Sequence, residues 1–148
     1  MSDVTIRCAT ERDIDTVLRL WESAGSAPTV TDSSDGLRRL LATDEGALLL
    51  AESEGNVVGT VIAAWDGWRG GFYRLAVLPH RRRQGIATAL LQEGERRLQA
   101  RGAVRLTAIA IGDDPVATGL WTAVGYTRQS NRARFVSQEP SKASQPAT

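Results

Sequence analysis

The chain has 148 residues, 42% of them hydrophobic and 24% charged, which suffices for one domain with its own core and is short for two. Its 18 basic and 17 acidic residues leave a formal charge of +1; this excludes a broad positive field that gathers nucleic acid or anionic lipid, so any basic function has to be local. One cysteine, Cys8, excludes an intrachain disulfide and a multi-thiolate metal site, fits a reducing and therefore cytoplasmic setting, and leads us to expect no metal centre.

Asp3 and Arg7 precede any apolar run, and no stretch reaches about 18 consecutive apolar residues, so neither a signal peptide nor a membrane span is expected. After a short strand, Thr10, Glu11, Arg12 and Asp13 have the form of a capping box, and Ile14, Val17, Leu18 and Trp21 recur at helical spacing until Gly25. Ala27 to Asp35 is rich in Ser, Thr, Pro and Asp and reads as a loop into a short helix carrying Leu37, Leu40 and Leu41, which Gly46 ends. Ala47 to Ala51 and Val57 to Trp65 are β-prone runs separated by Ser53, Glu54, Gly55 and Asn56, a hairpin signal.

Beyond a break at Asp66 and Gly67, Phe72 to Val77 predicts a third strand, closed by Pro79 and followed by an arginine-rich turn. The helix from Ile86 to Arg101 carries Ala87, Leu91 and Leu98 on one stripe with Ile86 and Leu90 beside it, and Gly102 suits its C-terminal cap. Val104 to Ile111 predicts another strand. Asp113 or Asp114 can cap the next helix, with Pro115 in its first turn, Ala117, Leu120, Trp121 and Val124 on its buried face, and Gly125 at its end. Tyr126 to Gln129 and Ala133 to Ser137 are expected as a final pair of strands, and residues 138–148 as a flexible tail too poor in apolar side chains to hold itself in place. Strands followed by crossover helices, without internal repeats, give an α/β (α+β) structure with a mixed sheet over residues 1–137.

The segment Val77, Leu78, Pro79, His80, Arg81, Arg82, Arg83, Gln84, Gly85, Ile86, Ala87, Thr88 puts a glycine-containing turn between a strand and a helix N-terminus. The first amides of a helix lack intrahelical acceptors and the helix dipole adds partial positive charge, so a pyrophosphate can accept several hydrogen bonds there. Gly85 and the small Ala87 let the backbone come close, and Arg81, Arg82 and Arg83 can add charge-assisted contacts. Spacing alone leaves the ligand open, and a solvated arginine loop is the plain alternative.

Arg82, Arg83, Gln84, Gly85, Ile86, Ala87 resembles the Q/R-x-x-G-x-G/A signature of the GCN5-related N-acetyltransferases. Asp114 to Tyr126, with Ala117, Trp121, Gly125 and Tyr126, resembles that family's later N-x-x-A-x-x-x-Y helix with its Gly-aromatic end. The resemblance covers about residues 4 to 137 and implies a single-domain GNAT fold: a twisted mixed sheet flanked by helices, its central strands Phe72 to Val77 and Val104 to Ile111 splayed so that a pantetheine arm can lie along an open strand edge. It also implies acetyl-CoA as acetyl donor, a primary amine on a small molecule, peptide or protein as acceptor, and direct transfer in a ternary complex. Leu75, Ala76 and Val77 are implied for the pantetheine, and the amides of Arg83, Gln84, Gly85, Ile86, Ala87 and Thr88 with Arg82 for the pyrophosphate. Asp114, Ala117 and Trp121 are implied from the later helix. A homodimer is left open; no nucleic acid or membrane partner is implied.

The chemistry asks for a base, an oxyanion donor and an acid. Where several branches of the family carry a carboxylate early in the strand before the signature, this chain has Gly70, Gly71 and Phe72; Asp66 and Glu52 are the nearest carboxylates, with a turn aspartate and a surface strand residue as the plain readings. Trp121 stands where many members have the tyrosine that protonates the leaving thiolate. Indole donates a hydrogen bond but is no acid, so slower chemistry or a packing role follows. Tyr73, read at the strand parity of Leu75 and Val77, and Tyr126 are the substitutes. His80 in the turn reads as exposed, and Trp65 and Trp68, flanking the Asp66–Gly67 turn, as strand-end core aromatics, with lining of the acceptor pocket as the alternative. Glu22, Asp32 and Asp35 would attract a cationic acceptor, whereas Arg132 and Arg134 would bind a carboxylate. Two other classes remain: a CoA-binding sensor or non-catalytic regulator, motivated by Trp121 and the missing carboxylate, and a nucleic-acid contact at Arg81 to Arg83, which a nearly neutral chain without interleaved aromatics does not favour.

Overall fold

In a computed structural model, residues 3–25, 29–110 and 115–137 are described. The elements run β1 (Val4–Cys8), a 3-10 turn at Glu11–Asp13, α1 (Ile14–Ser23), α2 (Ser34–Thr43), β2 (Leu48–Ser53), β3 (Asn56–Trp65) and β4 (Gly70–Val77). A second 3-10 turn at Pro79–Arg81 leads into α3 (Ile86–Ala100), β5 (Leu106–Ala108) and α4 (Pro115–Ala123). The chain divides into two compact units, Met1–Ile109 and Ala110–Thr148, and α4 belongs to the second.

The first unit holds a five-stranded sheet in the order β1-β2-β3-β4-β5. Neighbours are antiparallel except β4 and β5, which are parallel and joined through α3, so the sheet is mixed as expected. Local signals explain the helix starts. The Asp13 carboxylate accepts from the Thr10 amide at 2.8 Å and from two nitrogens of Arg7 at 2.9 Å. The Arg7 bonds first, then the Thr10 amide, hold Asp13 down to about 2 against the opposing effect of burial. Ser33 Oγ accepts from the Gly36 amide at 3.0 Å and caps α2.

Two apolar layers cover the sheet. On one face Ile14, Val17, Leu20 and Trp21 of α1 and Leu37 of α2 bury against Leu48, Leu50 and Ala76; full burial of such side chains stabilises by about 1.5–3 kcal/mol each. On the other face α3 inserts Ile86, Leu90, Leu91 and Leu98. It lies close because Gly94 carries no side chain: a Cβ there would sit 2.7 Å from Phe72 Cε1 and 3.3 Å from Ala63 Cβ.

Three departures from the sequence expectations have physical causes. The expected strand Val104 to Ile111 shrinks to Leu106–Ala108, with Val104 fully exposed. Tyr126 to Gln129 and Ala133 to Ser137 form no strands; among the described residues no strand follows β5, and an alternating segment becomes a strand only where a neighbour completes its hydrogen bonds. Finally, the β3–β4 register slips: Thr60 faces Ala76 and Ile62 faces Tyr73, so Val61 opposes both Arg74 and Leu75. This bulge, with Arg74 in the left-handed region at φ +53°, resets the alternation. Tyr73 therefore shares its face with Ala76 and not with Val77, which corrects the parity expectation.

Candidate active site

The site begins where β4 leaves its parallel neighbour. The β4–β5 ladder consists of Gly70↔Leu106, Gly71↔Thr107 and Phe72↔Ala108, after which β4 runs on through the bulge to Val77. Beyond Phe72, β4 thus runs on without a β5 partner and carries Leu75, Ala76 and Val77 along that edge. A ligand with alternating amide groups can hydrogen-bond such an edge as a strand does.

At the end of β4 the chain turns through Pro79–Arg81 into α3. Arg83 adopts φ +64° and Gly85, the N-cap of α3, φ +80°. The first helical bond is from the Ala89 amide to Gly85 O at 3.0 Å, so the amides of Ile86, Ala87 and Thr88 come before any intrahelical acceptor. A Cβ built on Gly85 meets nothing within 4 Å: the space over the helix N-terminus is open. Ile86 is buried against the sheet near Gly59 and fixes the height of the helix start.

The three arginines do not act alike. Arg81 donates to Gln84 Oε1 at 2.7 Å and to Asp3 Oδ1 at 3.3 Å. Arg82 turns back, its Nε to Val77 O and an Nη2 to Ala24 O, each at 3.1 Å. Arg83 is exposed, and among the described residues its guanidinium has no protein acceptor. Only Arg83 therefore presents a disengaged cation beside the turn. Of the three arginines expected to face a phosphate, Arg81 and Arg82 are therefore engaged with protein acceptors.

The candidate catalytic groups are placed as follows. Asp66 Oδ1 accepts from the Trp68 amide at 2.8 Å and the Arg69 amide at 2.6 Å; these bonds, Arg69 first, lower its pKa, so it is built as a turn aspartate and is a poor base. Glu52 pairs with Arg7 at 2.9 Å. Tyr73 is 47% exposed on the face of the sheet that α1 covers. Trp121 lies on α4 with its ring 5.0 Å from that of Tyr126, edge to face, and Ala117 is one turn earlier on the same helix. Asp114 lies outside the described residues. His80 is exposed, as expected; Trp68, expected in the core, is instead 69% exposed, and Arg69 stacks on its ring at 4.1 Å.

Of the acidic residues expected to attract a cation, Asp32 is paired with Arg74 and Asp35 with Arg38. Glu22 is exposed and has no ion-pair partner among the described residues, while Arg132 and Arg134 are exposed in the second unit. Arg74 is the residue that the sequence reading passed over. A charge inside the apolar run Phe72 to Val77 was its signal, because a charged side chain there needs a buried partner.

Comparison with known proteins identifies the family. The model of the acetyltransferase (GNAT) family matches residues 15–126, a span that contains α1 from Asp15 on and both sequence blocks. Ard1 from Thermoplasma volcanium superposes with a TM-score of 0.78 at 17% identity, covering 87% of this chain and 86% of that one. The PaiA N-acetyltransferase from Thermoplasma acidophilum, in complex with coenzyme A, gives 0.74 at 14% identity over 89% and 94%. An aminoglycoside 6'-N-acetyltransferase from Acinetobacter haemolyticus gives 0.70 at 19% identity over 92% and 99%. A strand that parts from its neighbour, a left-handed glycine opening a helix, and a family match spanning both lead to one conclusion: the chain belongs to the acetyltransferase (GNAT) family and is an acyltransferase that draws its acetyl group from acetyl-CoA.

Proposed function

We propose that this enzyme transfers acetyl directly from acetyl-CoA to a primary amine of a small molecule, peptide or protein, with residues 1–137 as the catalytic domain and a cytoplasmic location. The observation that carries the reading is the open left-handed turn at Gly85, whose following amides precede the first helical bond, set at the end of the strand that parts from β5. The pyrophosphate is assigned to the amides of Arg83, Gln84, Gly85, Ile86, Ala87 and Thr88 with the Arg83 guanidinium. The pantetheine is assigned to the β4 edge at Leu75, Ala76 and Val77, and the family resemblance alone carries Asp114, Ala117 and Trp121 as further cofactor residues. Structural neighbours named as N-acetyltransferases support nitrogen as the acceptor atom.

In the reaction the amine nitrogen attacks the thioester carbonyl, the C–S bond breaks, and the nitrogen's proton leaves as coenzyme A departs as thiolate or thiol. An alkylamine with a pKa of about 10.4 is neutral in roughly one molecule in 2,500 at pH 7, a deficit of about 4–5 kcal/mol. With Asp66 and Glu52 held in other bonds, a solvent-relayed proton or an acceptor of lower pKa removes the need for a nearby carboxylate. A thiolate with a parent pKa of about 8.5 leaves without obligatory protonation, so a tryptophan at position 121 is compatible with turnover. No nucleophile suited to a covalent acetyl-enzyme is found among the described residues near β4.

A second reading, a CoA-binding sensor or regulator without catalysis, draws on the same two observations: Asp66 is consumed by its turn and Trp121 is no acid. Calorimetric titration with acetyl-CoA and with coenzyme A, followed by an amine panel, decides. Binding with acetylation supports the transferase, and binding without acetylation of any amine supports the sensor. Absence of binding by both forms overturns the phosphate assignment.

A further inference from the structure

The β4–β5 ladder ends at Phe72↔Ala108, so a pantetheine lying along β4 from the turn at Gly85 towards Phe72 meets that rung with its thioester end. The acetyl group has to leave the plane of the sheet there, and the two faces differ. On the α3 face the space is filled: Phe72 is 1% exposed, and a Cβ on Gly70 would lie 2.7 Å from Leu106 Cδ2 and 2.8 Å from Leu98 Cδ1. On the other face, which α1 and α2 cover further along, Ala64 and Gly71 are half-buried, Tyr73 is 47% exposed and Thr107 is exposed.

Gly71 presents bare backbone on that open face. A Cβ there would lie 3.6 Å from Tyr73 Cε2 and 3.8 Å from each of two oxygens, Tyr73 Oη and Thr107 Oγ1. These are ordinary contact distances, so the point is vacant only because residue 71 has no side chain. Tyr73, the first residue of β4 beyond the ladder, leans back over Gly71, and Thr107 reaches in from β5. Among the described residues neither hydroxyl has a hydrogen-bond partner. Two uncommitted O–H donors beside one vacant point, at the rung where the thioester ends, suit an oxygen that gains negative charge.

We infer that Tyr73 and Thr107 are catalytic residues forming an oxyanion site: the acetyl carbonyl turns over Gly71, and its oxygen accepts from both hydroxyls. The inference rests on the acetyl-CoA reading above. As the amine nitrogen bonds to the carbonyl carbon, the C=O π electrons move onto that oxygen, and the two O–H groups donate to it while keeping their protons. When the C=O bond re-forms, the C–S bond breaks, sulfur keeps the electron pair, and the nitrogen's proton goes to solvent. Neither hydroxyl changes its protonation state in this cycle.

The test has a binding arm and a rate arm, both on the full chain. Gly71→Ala puts a methyl group at the vacant point. Calorimetric titration should then show acetyl-CoA bound about fivefold or more weakly, the loss of roughly one hydrogen bond, with coenzyme A bound as before. An unchanged affinity for acetyl-CoA, or equal weakening of both forms, overturns the inference and leaves the coenzyme site standing. Tyr73→Phe and Thr107→Val keep the shape of each side chain and remove the donor. With the fastest acceptor in a panel of alkylamines and peptides carrying lysine or a free N-terminus, each should lower kcat about 10- to 150-fold, the range for a hydrogen bond to a charged group. The KM for acetyl-CoA should change little, and an undiminished kcat in both variants overturns the inference. If no amine is acetylated, infrared difference spectra of bound acetyl-CoA, isotope-labelled at its carbonyl, replace the rates. The carbonyl band should lie lower in the unmodified protein than in either variant, and one position in all three overturns the inference. Failure of the unmodified protein to bind acetyl-CoA overturns the underlying reading instead. Should one variant fail to fold, the others still decide.

Discussion

Gly85 and Gly55 form a matched pair for testing the phosphate site. Both have φ of +80°, and a Cβ on either meets nothing within 4 Å, but Gly55 sits in the β2–β3 hairpin turn and Gly85 opens α3. Alanine in left-handed backbone costs roughly 1–2 kcal/mol at each, which lowers Tm by about 2–4 °C per kcal/mol in a chain of this size. The two variants should therefore melt alike. They should bind differently, because the open volume over Gly85 is where the pyrophosphate is placed, and a methyl group there displaces an oxygen from at least one amide. Losing one hydrogen bond to a charged group costs about 1.5–3 kcal/mol, so the Kd for acetyl-CoA should rise roughly 10- to 150-fold in Gly85→Ala and stay unchanged in Gly55→Ala. Calorimetric titration reads both directly. If Gly85→Ala loses the same stability as Gly55→Ala yet binds acetyl-CoA like the unmodified protein, the pyrophosphate does not lie over Gly85.

Trp121→Tyr restores a phenol that can protonate the departing thiolate; kcat should rise with little change in the KM for acetyl-CoA, and an equal or lower kcat in steady-state assays argues against a leaving-group role for position 121. Thr60→Val removes the acceptor of the buried Trp21 indole N–H, which should cost about 1–3 kcal/mol in urea unfolding; a variant as stable as the parent contradicts that Trp21–Thr60 hydrogen bond. Asp13 is held down to about 2, chiefly by hydrogen bonds from Arg7. A depressed carboxylate contributes stability that is full above its unfolded value near 4 and lost as pH falls towards 2, so Tm should drop across that window. The whole shift corresponds to at most about 2.5 kcal/mol, which solvent around the 38%-exposed Arg7 reduces to about 1 kcal/mol. Asp13→Asn should flatten the drop, and an equally steep acid limb in that variant shows that another carboxylate is responsible.

What the sequence disclosed and what it concealed divide by the range of the interaction. Thr10 to Asp13 and the apolar stripes of α1 and α3 act over a few residues, and each forms where its spacing put it. Gly85 was legible for the same reason: a strand end, a glycine and a helix start are adjacent. The bulge at Arg74 was not, because one added residue is defined only against Val61 on the partner strand, and the alternation of Phe72 to Val77 reads smoothly without it. The directions of Arg81 and Arg82 were equally hidden. Their acceptors, Asp3 and Ala24, lie 78 and 58 residues away in the chain, and so a run of three arginines looked like three equivalent phosphate ligands. Asp32 looked like bait for a cationic substrate until the fold placed Arg74, 42 residues on, against it. The final strands failed because alternation specifies a strand's faces without supplying its neighbour.

With Arg81 and Arg82 engaged elsewhere, the grip assigned to the turn is made of peptide groups and one permanently charged guanidinium. That set contains no histidine and no carboxylate, and nothing in it offers a lysine that cellular chemistry can neutralise. Occupancy by the donor should then be nearly constant across the pH range of living cells. The pH profile of turnover would belong almost wholly to the other substrate: the rate should climb as the acceptor amine sheds its proton, and the midpoint of that climb would report which amine the enzyme takes.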